Sequence, residues 1–245
     1  MTNRFVIFCH ARSGSTWLVN TLNNISGVTC YGELFLSNAT VYRDGSTQMP
    51  RFLLWKESHP GIRPFSTYRY LNDLYRDTDN IGYKLMYTHL RNYPEIAPYL
   101  LGSGVRVIHL IRKNTLDSIL SSMVARSRGQ FHFKDREILP EEKPISVDPD
   151  YLIRRIRSVD RKTQLARTLL RLSGLKQIEV HYEDLLADVK NFKIVWQFLG
   201  VDFEENPPTW QVKKSRKKKR VEAISNYLEV NSRLASAGYA HFLED

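Results

Sequence analysis

The chain has little cysteine. Only Cys9 and Cys30 occur in 245 residues, too few for a disulfide framework. Both fall in apolar, strand-like surroundings and are expected as buried thiols of a reducing compartment. Long hydrophobic runs are missing too: the opening apolar run, Phe5 to Cys9, is short, and nothing approaches the roughly 18 residues that a membrane helix needs. Neither a membrane span nor a cleavable leader is therefore expected, and the chain reads as soluble and cytoplasmic. The seven histidines are scattered and the cysteines lack metal-site spacing, so no metal centre is expected. No Gly-Lys-Ser/Thr occurs, which argues against a loop holding a Mg²⁺-bound nucleotide through a lysine and a hydroxyl.

What is present describes an ordinary globular protein, with 42% hydrophobic and 25% charged residues. The length suits one α/β domain over residues 1–245 with a large core. A net charge of +10 favours anionic partners, either nucleic acid or a multiply phosphorylated nucleotide.

The chain is organised around residues 4–18. Phe5 to Cys9 suits a strand buried on both faces of a parallel sheet. A small polar loop centred on Gly14 follows, and then Trp17, Leu18, Leu22 and Ile25 recur at helical spacing. Strand, small-residue loop and helix start make an anion cradle, in which the backbone N–H groups of Ser13 to Trp17 converge and the helix dipole adds attraction. The plainer alternative is an ordinary β-to-α turn with serine caps.

Further strands are expected at Val28–Tyr31, Ile81–Tyr87, Val105–Ile111 and Gln177–Tyr182. Helices are expected over 66–76, 96–101, 115–125, 149–173 and 189–199. Asp148-Pro149 opens the longest of these, and Leu152, Ile156, Val159, Leu165, Leu169 and Leu172 form its apolar stripe. Strands alternating with helices imply a parallel sheet with helices on both faces. Glu33 closes the second strand and would face the same edge as the 12–17 loop, because strand C-terminal ends form the ligand side of such sheets. Residues 37–80 mix aromatic and basic side chains, and are either a surface insertion or the wall of an acceptor pocket. Residues 126–147 read as a mobile loop.

Arg12-Ser13-Gly14-Ser15-Thr16-Trp17 resembles the 5′-phosphosulfate loop of the sulfotransferases that use 3′-phosphoadenosine 5′-phosphosulfate (PAPS). Among these it is most similar to bacterial carbohydrate sulfotransferases of the trehalose and nodulation-factor type. Two later segments extend the resemblance. Val180 to Leu186, followed by Phe198-Leu199-Gly200-Val201, resembles the Tyr-Glu-Asp-Leu strand end and later Phe-Leu-Gly helix end of the family. The strand-end Arg112 resembles the arginine that, with a serine on the next helix, binds the 3′-phosphate. Ser121 lies nine residues after Arg112 and eight after Lys113, with Ser118 and Ser122 nearby; pairing Arg112 with Asp117 is the plainer reading.

The resemblance implies a P-loop-like α/β sheet, PAPS as sulfuryl donor, adenosine 3′,5′-bisphosphate (PAP) as product, and no metal. Ser13, Gly14, Ser15, Thr16 and Trp17 would hold the phosphosulfate, with Arg12 stabilising the leaving phosphate. Lys213, Lys214 and Arg216, within the basic run 213–220, would close over the 3′-phosphate. The plainer reading of that run is solvated charge. Two residues compete for the base that takes the acceptor's proton. Glu33 suits the bacterial branch, while Tyr87-Thr88-His89-Leu90 resembles the Thr-His-Leu of cytosolic sulfotransferases, whose histidine is the base. The acceptor is expected to be a hydroxyl-bearing small molecule, glycan or glycolipid, chosen by 37–80 and 126–147, and a homo-oligomer is compatible with the sequence. A P-loop small-molecule kinase and a nucleic-acid-binding protein using the basic tail are the competing readings. Nucleic acid ranks lower because aromatic residues do not interleave the run.

Overall fold

A computed structural model describes residues 3–36, 49–76, 80–127, 144–202 and 220–243. The chain divides into two compact units, Met1–Ile111 with Leu165–Trp210, and Arg112–Gln164 with Gln211–Asp245.

The first unit is built on one five-stranded sheet: β1 (Arg4–Cys9), β2 (Thr29–Glu33), β3 (Ile81–Met86), β4 (Arg106–Ile111) and β5 (Gln177–His181). The strand order is β2-β3-β1-β4-β5, and every neighbouring pair is parallel. Side chains alternate across a strand, and both faces are covered, which is why β1 is apolar without a break from Phe5 to Cys9. Phe5, Ile7 and Cys9 pack with Ile108 and Leu110 against Leu18 and Leu22 of α1 (Ser15–Asn23). Val195, Trp196 and Leu199 of α9 (Lys193–Leu199) complete that layer. Val6 and Phe8 face the other way, with Tyr83, Leu85 and Val107. Their layer comes from α2 (Phe52–Ser58), α3 (Phe65–Leu74) and α5 (Ile96–Ser103).

Short helices fall where only loop or strand was expected, among them α2 and α4 (Tyr87–Asn92), which starts immediately after β3. No side-chain cap marks the start of α2, so local sequence gives it little signature. The aromatic residues of 37–80, read either as a surface insertion or as the wall of an acceptor pocket, include several core residues: Trp55, Tyr70 and Tyr75 are buried with Phe35, Phe52 and Tyr83. Phe65 and Ile62 are exposed.

The second unit packs α6 (Thr115–Ser127), the first part of α7 (Pro149–Ser173), α10 (Arg220–Ala223) and α11 (Tyr227–Ser236). Leu116, Ile119, Leu120, Leu152, Ile156, Ile224, Val230 and Leu234 form its core. Asn226 clamps the segment before α7, accepting from Val147 N at 3.0 Å and donating to Val147 O at 2.9 Å.

The stripe expected on α7 is corrected in its second half. Leu165, Leu169 and Leu172 are 59%, 57% and 79% exposed, and Ala166 and Leu170 are the buried residues. The buried column runs through Ile156, Val159, Ala166 and Leu170. Counting large apolar residues favours leucine over the small alanine that actually fits against the sheet.

Candidate active site

The loop after β1 owes its shape to backbone conformation. Arg12 has φ 64° and Gly14 φ 86°, both left-handed, and α1 begins at Ser15. Left-handed backbone is costly for an arginine, so the surrounding packing must impose it. Leu18 N donates the first helical bond to Gly14 O at 3.1 Å, so the N–H groups of Ser15, Thr16 and Trp17 precede the helical ladder. No side chain caps this end of α1 and its first turn carries no acid. An anion is the complementary partner for such an end. The serine-capped turn is not what forms: Gly14 itself occupies the cap.

Glu33 owes its position to a bulge. Tyr31 lies opposite Tyr83, but Glu33, not Gly32, lies opposite Lys84, so the register shifts between Tyr31 and Glu33. A bulge re-aims side chains, and here it turns Glu33 onto Lys84. Lys84 Nζ donates to Glu33 Oε1 at 2.6 Å, with both side chains largely buried at 6% and 13% exposure. His89 of α4 places Nε2 3.9 Å from Glu33 Oε2. Its Nδ1 accepts from Met86 N at 3.3 Å, which puts the ring proton of the neutral form on Nε2. Burial lowers the His89 pKa to about 4, against an opposing pull from Glu33, so the ring is neutral at pH 7. The two competing bases therefore sit side by side, and the lone pair of His89 is engaged by the backbone.

Lys84 escaped the sequence reading. Its signal was a lone cation in the apolar strand Ile-Gly-Tyr-Lys-Leu-Met, which packing alone does not favour.

A second group, centred on the buried His109, links four elements. Tyr87 Oη lies 2.6 Å from His109 Nε2, and His109 Nδ1 lies 3.3 Å from Glu179 Oε2. Arg167 of α7 holds Glu179 through two bonds of 2.7 Å. Burial lowers the His109 pKa to about 4 although Glu179 works against it. Burial acts to raise the Glu179 carboxyl, but Arg167 outweighs it and holds the group below the usual carboxylate range.

In the second unit, Arg112 Nη2 lies 3.2 Å from Asp117 Oδ2, the plainer pairing named above. Arg220, the last residue of the basic run, is buried and places Nε 3.2 Å from Asp117 Oδ1. Ser118 and Ser121 are buried on α6. Arg220 was missed because it ends a run that reads as solvated charge. Lys213, Lys214 and Arg216 lie outside the described residues, as do 37–48 and 128–143. Among the described residues, no group of three or more His, Cys, Asp or Glu is placed to hold a metal ion. No helix there is long and apolar enough to cross a membrane.

No family model and no curated protein sequence matches this chain. Solved structures do. A sulfotransferase from Alicyclobacillus acidocaldarius superposes with a TM-score of 0.50 at 17% identity, covering 100% of this chain and 95% of that one. A sulfotransferase domain from the curacin biosynthetic pathway gives 0.51 at 17% identity, covering 93% and 86%. The fold is that of the sulfotransferases. The mouse sulfotransferase SULT7A1 complexed with PAP is a looser match, with a TM-score of 0.46 and 15% identity. It covers 83% of this chain, which spans 60% of that protein. Within the sulfotransferase fold, the left-handed loop, α1 and Glu33 all belong to the first unit, while Arg112 and Ser121 belong to the second.

Proposed function

We propose that the protein transfers a sulfuryl group from PAPS to a hydroxyl of a small-molecule, glycan or glycolipid acceptor. The observation that carries this reading is the loop itself: left-handed Arg12 and Gly14 opening onto an uncapped, acid-free helix end within a sulfotransferase fold. The backbone of Ser13 to Trp17 holds the phosphosulfate, which supplies an activated sulfuryl group. Arg12 offsets charge growing on the leaving phosphate. Glu33 takes the proton of the acceptor hydroxyl. His89 supports this assignment, because its ring is neutral and its lone pair is bound to Met86 N. Arg112 with Ser121 binds the 3′-phosphate, and Lys213, Lys214 and Arg216 close over it. These last roles rest on the sequence resemblance.

The test is thermal unfolding with PAP and with ATP–Mg²⁺. A ligand present at about 100 times its Kd stabilises by about 2.7 kcal/mol, well within reach of a melting curve. PAP without metal is expected to raise Tm clearly, and AMP less. Stabilisation by ATP–Mg²⁺ and not by PAP would transfer the protein to the kinases. Tight, strongly salt-dependent binding to any duplex, with no response to PAP, would support the nucleic-acid reading.

A further inference from the structure

Lys84 is a cation placed in the middle of an apolar strand. Desolvation makes such a site unfavourable for an ammonium unless an anion meets it. The anion is Glu33, 2.6 Å away, and it is there because the β2 bulge moves it one residue along the register. Strand and bulge are thus built as a pair, although either feature alone would weaken the sheet. Lys84 lies opposite Ile7, two residues before Cys9 on the strand that leads into the 12–17 loop. Burial raises the pKa of the Cys9 thiol, Lys84 draws it down, and the hydroxyls of Ser13 and Ser15 lie beside it.

We infer that Lys84 is the positioning residue of the transfer site, orienting Glu33 and keeping it ionised until it receives the acceptor's proton. The inference rests on the transfer reading above. In the step, the acceptor oxygen bonds to sulfur as the bond from sulfur to the bridging phosphate oxygen breaks. The hydroxyl proton passes to Glu33, and the electron pair of the broken bond leaves with the phosphate. Lys84 donates no proton. Before the step its charge is matched by Glu33. Once Glu33 is neutral, the ammonium has lost its matching charge just as the leaving phosphate gains negative charge. Lys84 therefore favours the ionised base before transfer and the charged leaving group after it.

Among the described residues, the groups facing Glu33 include Lys84 from β3, His89 from α4 and, more distantly, Cys9 from β1. The test compares Lys84→Met, which keeps the shape and removes the charge, with Lys84→Arg, which keeps the charge. The first readout is the titration of Glu33 by ¹³C NMR of glutamate-labelled protein, with the signal assigned through Glu33→Gln. An adjacent cation lowers a carboxylate by about 1–3 pH units. Lys84→Met should raise the Glu33 midpoint by that amount, and Lys84→Arg should largely restore it. An unchanged midpoint in Lys84→Met overturns the inference. The second readout is PAPS consumption with a simple phenol as probe acceptor. Lys84→Met should lower kcat, move the acidic limb of the pH profile upward and leave KM for PAPS within about threefold. A kcat loss with an unmoved acidic limb would reduce Lys84 to a structural role and overturn the inference. If the Glu33 midpoint moves but PAP neither binds nor protects any variant, the electrostatic pairing stands and the transfer reading fails.

Discussion

A β-carbon added to Gly14 would stand 2.1 Å from Cδ2 of Tyr182, so the ring that opens α8 (Tyr182–Ala187) fills the space behind the loop. Trp17 meets the same ring edge-on, with centroids 5.6 Å apart. Two separate sequence matches, the loop and the Tyr-Glu-Asp-Leu segment, are thereby one structural unit. Glu183 and Asp184 occupy the first turn of α8, where acids suit the helix dipole.

Gly14→Ala should therefore fail twice. The left-handed backbone costs an alanine about 1–2 kcal/mol. The clash with Tyr182 adds about 1–3 kcal/mol of overpacking. Thermal unfolding should show a lowered Tm and a lost response to PAP. Adding Tyr182→Ala should recover only the clash share of the Tm. A Gly14→Ala protein with the parental Tm and PAP response would contradict the packing argument.

The choice of base is tested by a pair of variants. Glu33→Gln keeps the shape of the side chain, so stabilisation by PAP should persist while turnover of PAPS with a phenolic probe falls by ~10²–10⁴. His89→Asn should remain active, because its lone pair serves the Met86 N–H. An active Glu33→Gln with a dead His89→Asn would reassign the base to His89.

Arg112→Ala bears on the 3′-phosphate. A lost charged hydrogen bond costs about 1.5–3 kcal/mol, so the variant should respond almost equally to PAP and AMP. Its ligand-free Tm serves as the reference, since Asp117 loses an arginine partner. A variant that still prefers PAP to AMP as strongly as the parent would remove Arg112 from the site.

Replacing Lys213, Lys214 and Arg216 by serine addresses the basic run. If these residues close over the nucleotide, PAP should bind more weakly and with less sensitivity to added salt. Unchanged affinity would return the run to solvated charge.

The pH response of stability follows from two histidines. His89 and His109 are held neutral by burial, with pKa values lowered from an ordinary 6.5 to about 4. Below pH 6.5 the unfolded chain takes up protons that the folded one refuses, so stability falls with pH. The loss accumulates between about pH 6.5 and 4 and ends once both states are protonated. His109→Gln should flatten part of the Tm–pH curve over that range. Curves running parallel for parent and variant would show that His109 does not titrate this way.

Much of the fold is local enough to be read directly. The unbroken apolar run of β1, the glycine at the turn and the periodicity of α1 each specify a conformation through nearest-neighbour sterics and burial. For the same reason β4, β5 and the Asp148-Pro149 start of α7 fall where expected. What only the tertiary structure decided depends on residues far apart in sequence. Glu33 meets Lys84 because a one-residue bulge resets the register between two strands, and the alternation within either strand alone does not reveal a bulge. Gly14 must be glycine partly because Tyr182 packs against it, which no property of the loop itself reveals. Ala166, not Leu165, faces the core because the space left between α7 and the sheet sets the size of the side chain that fits.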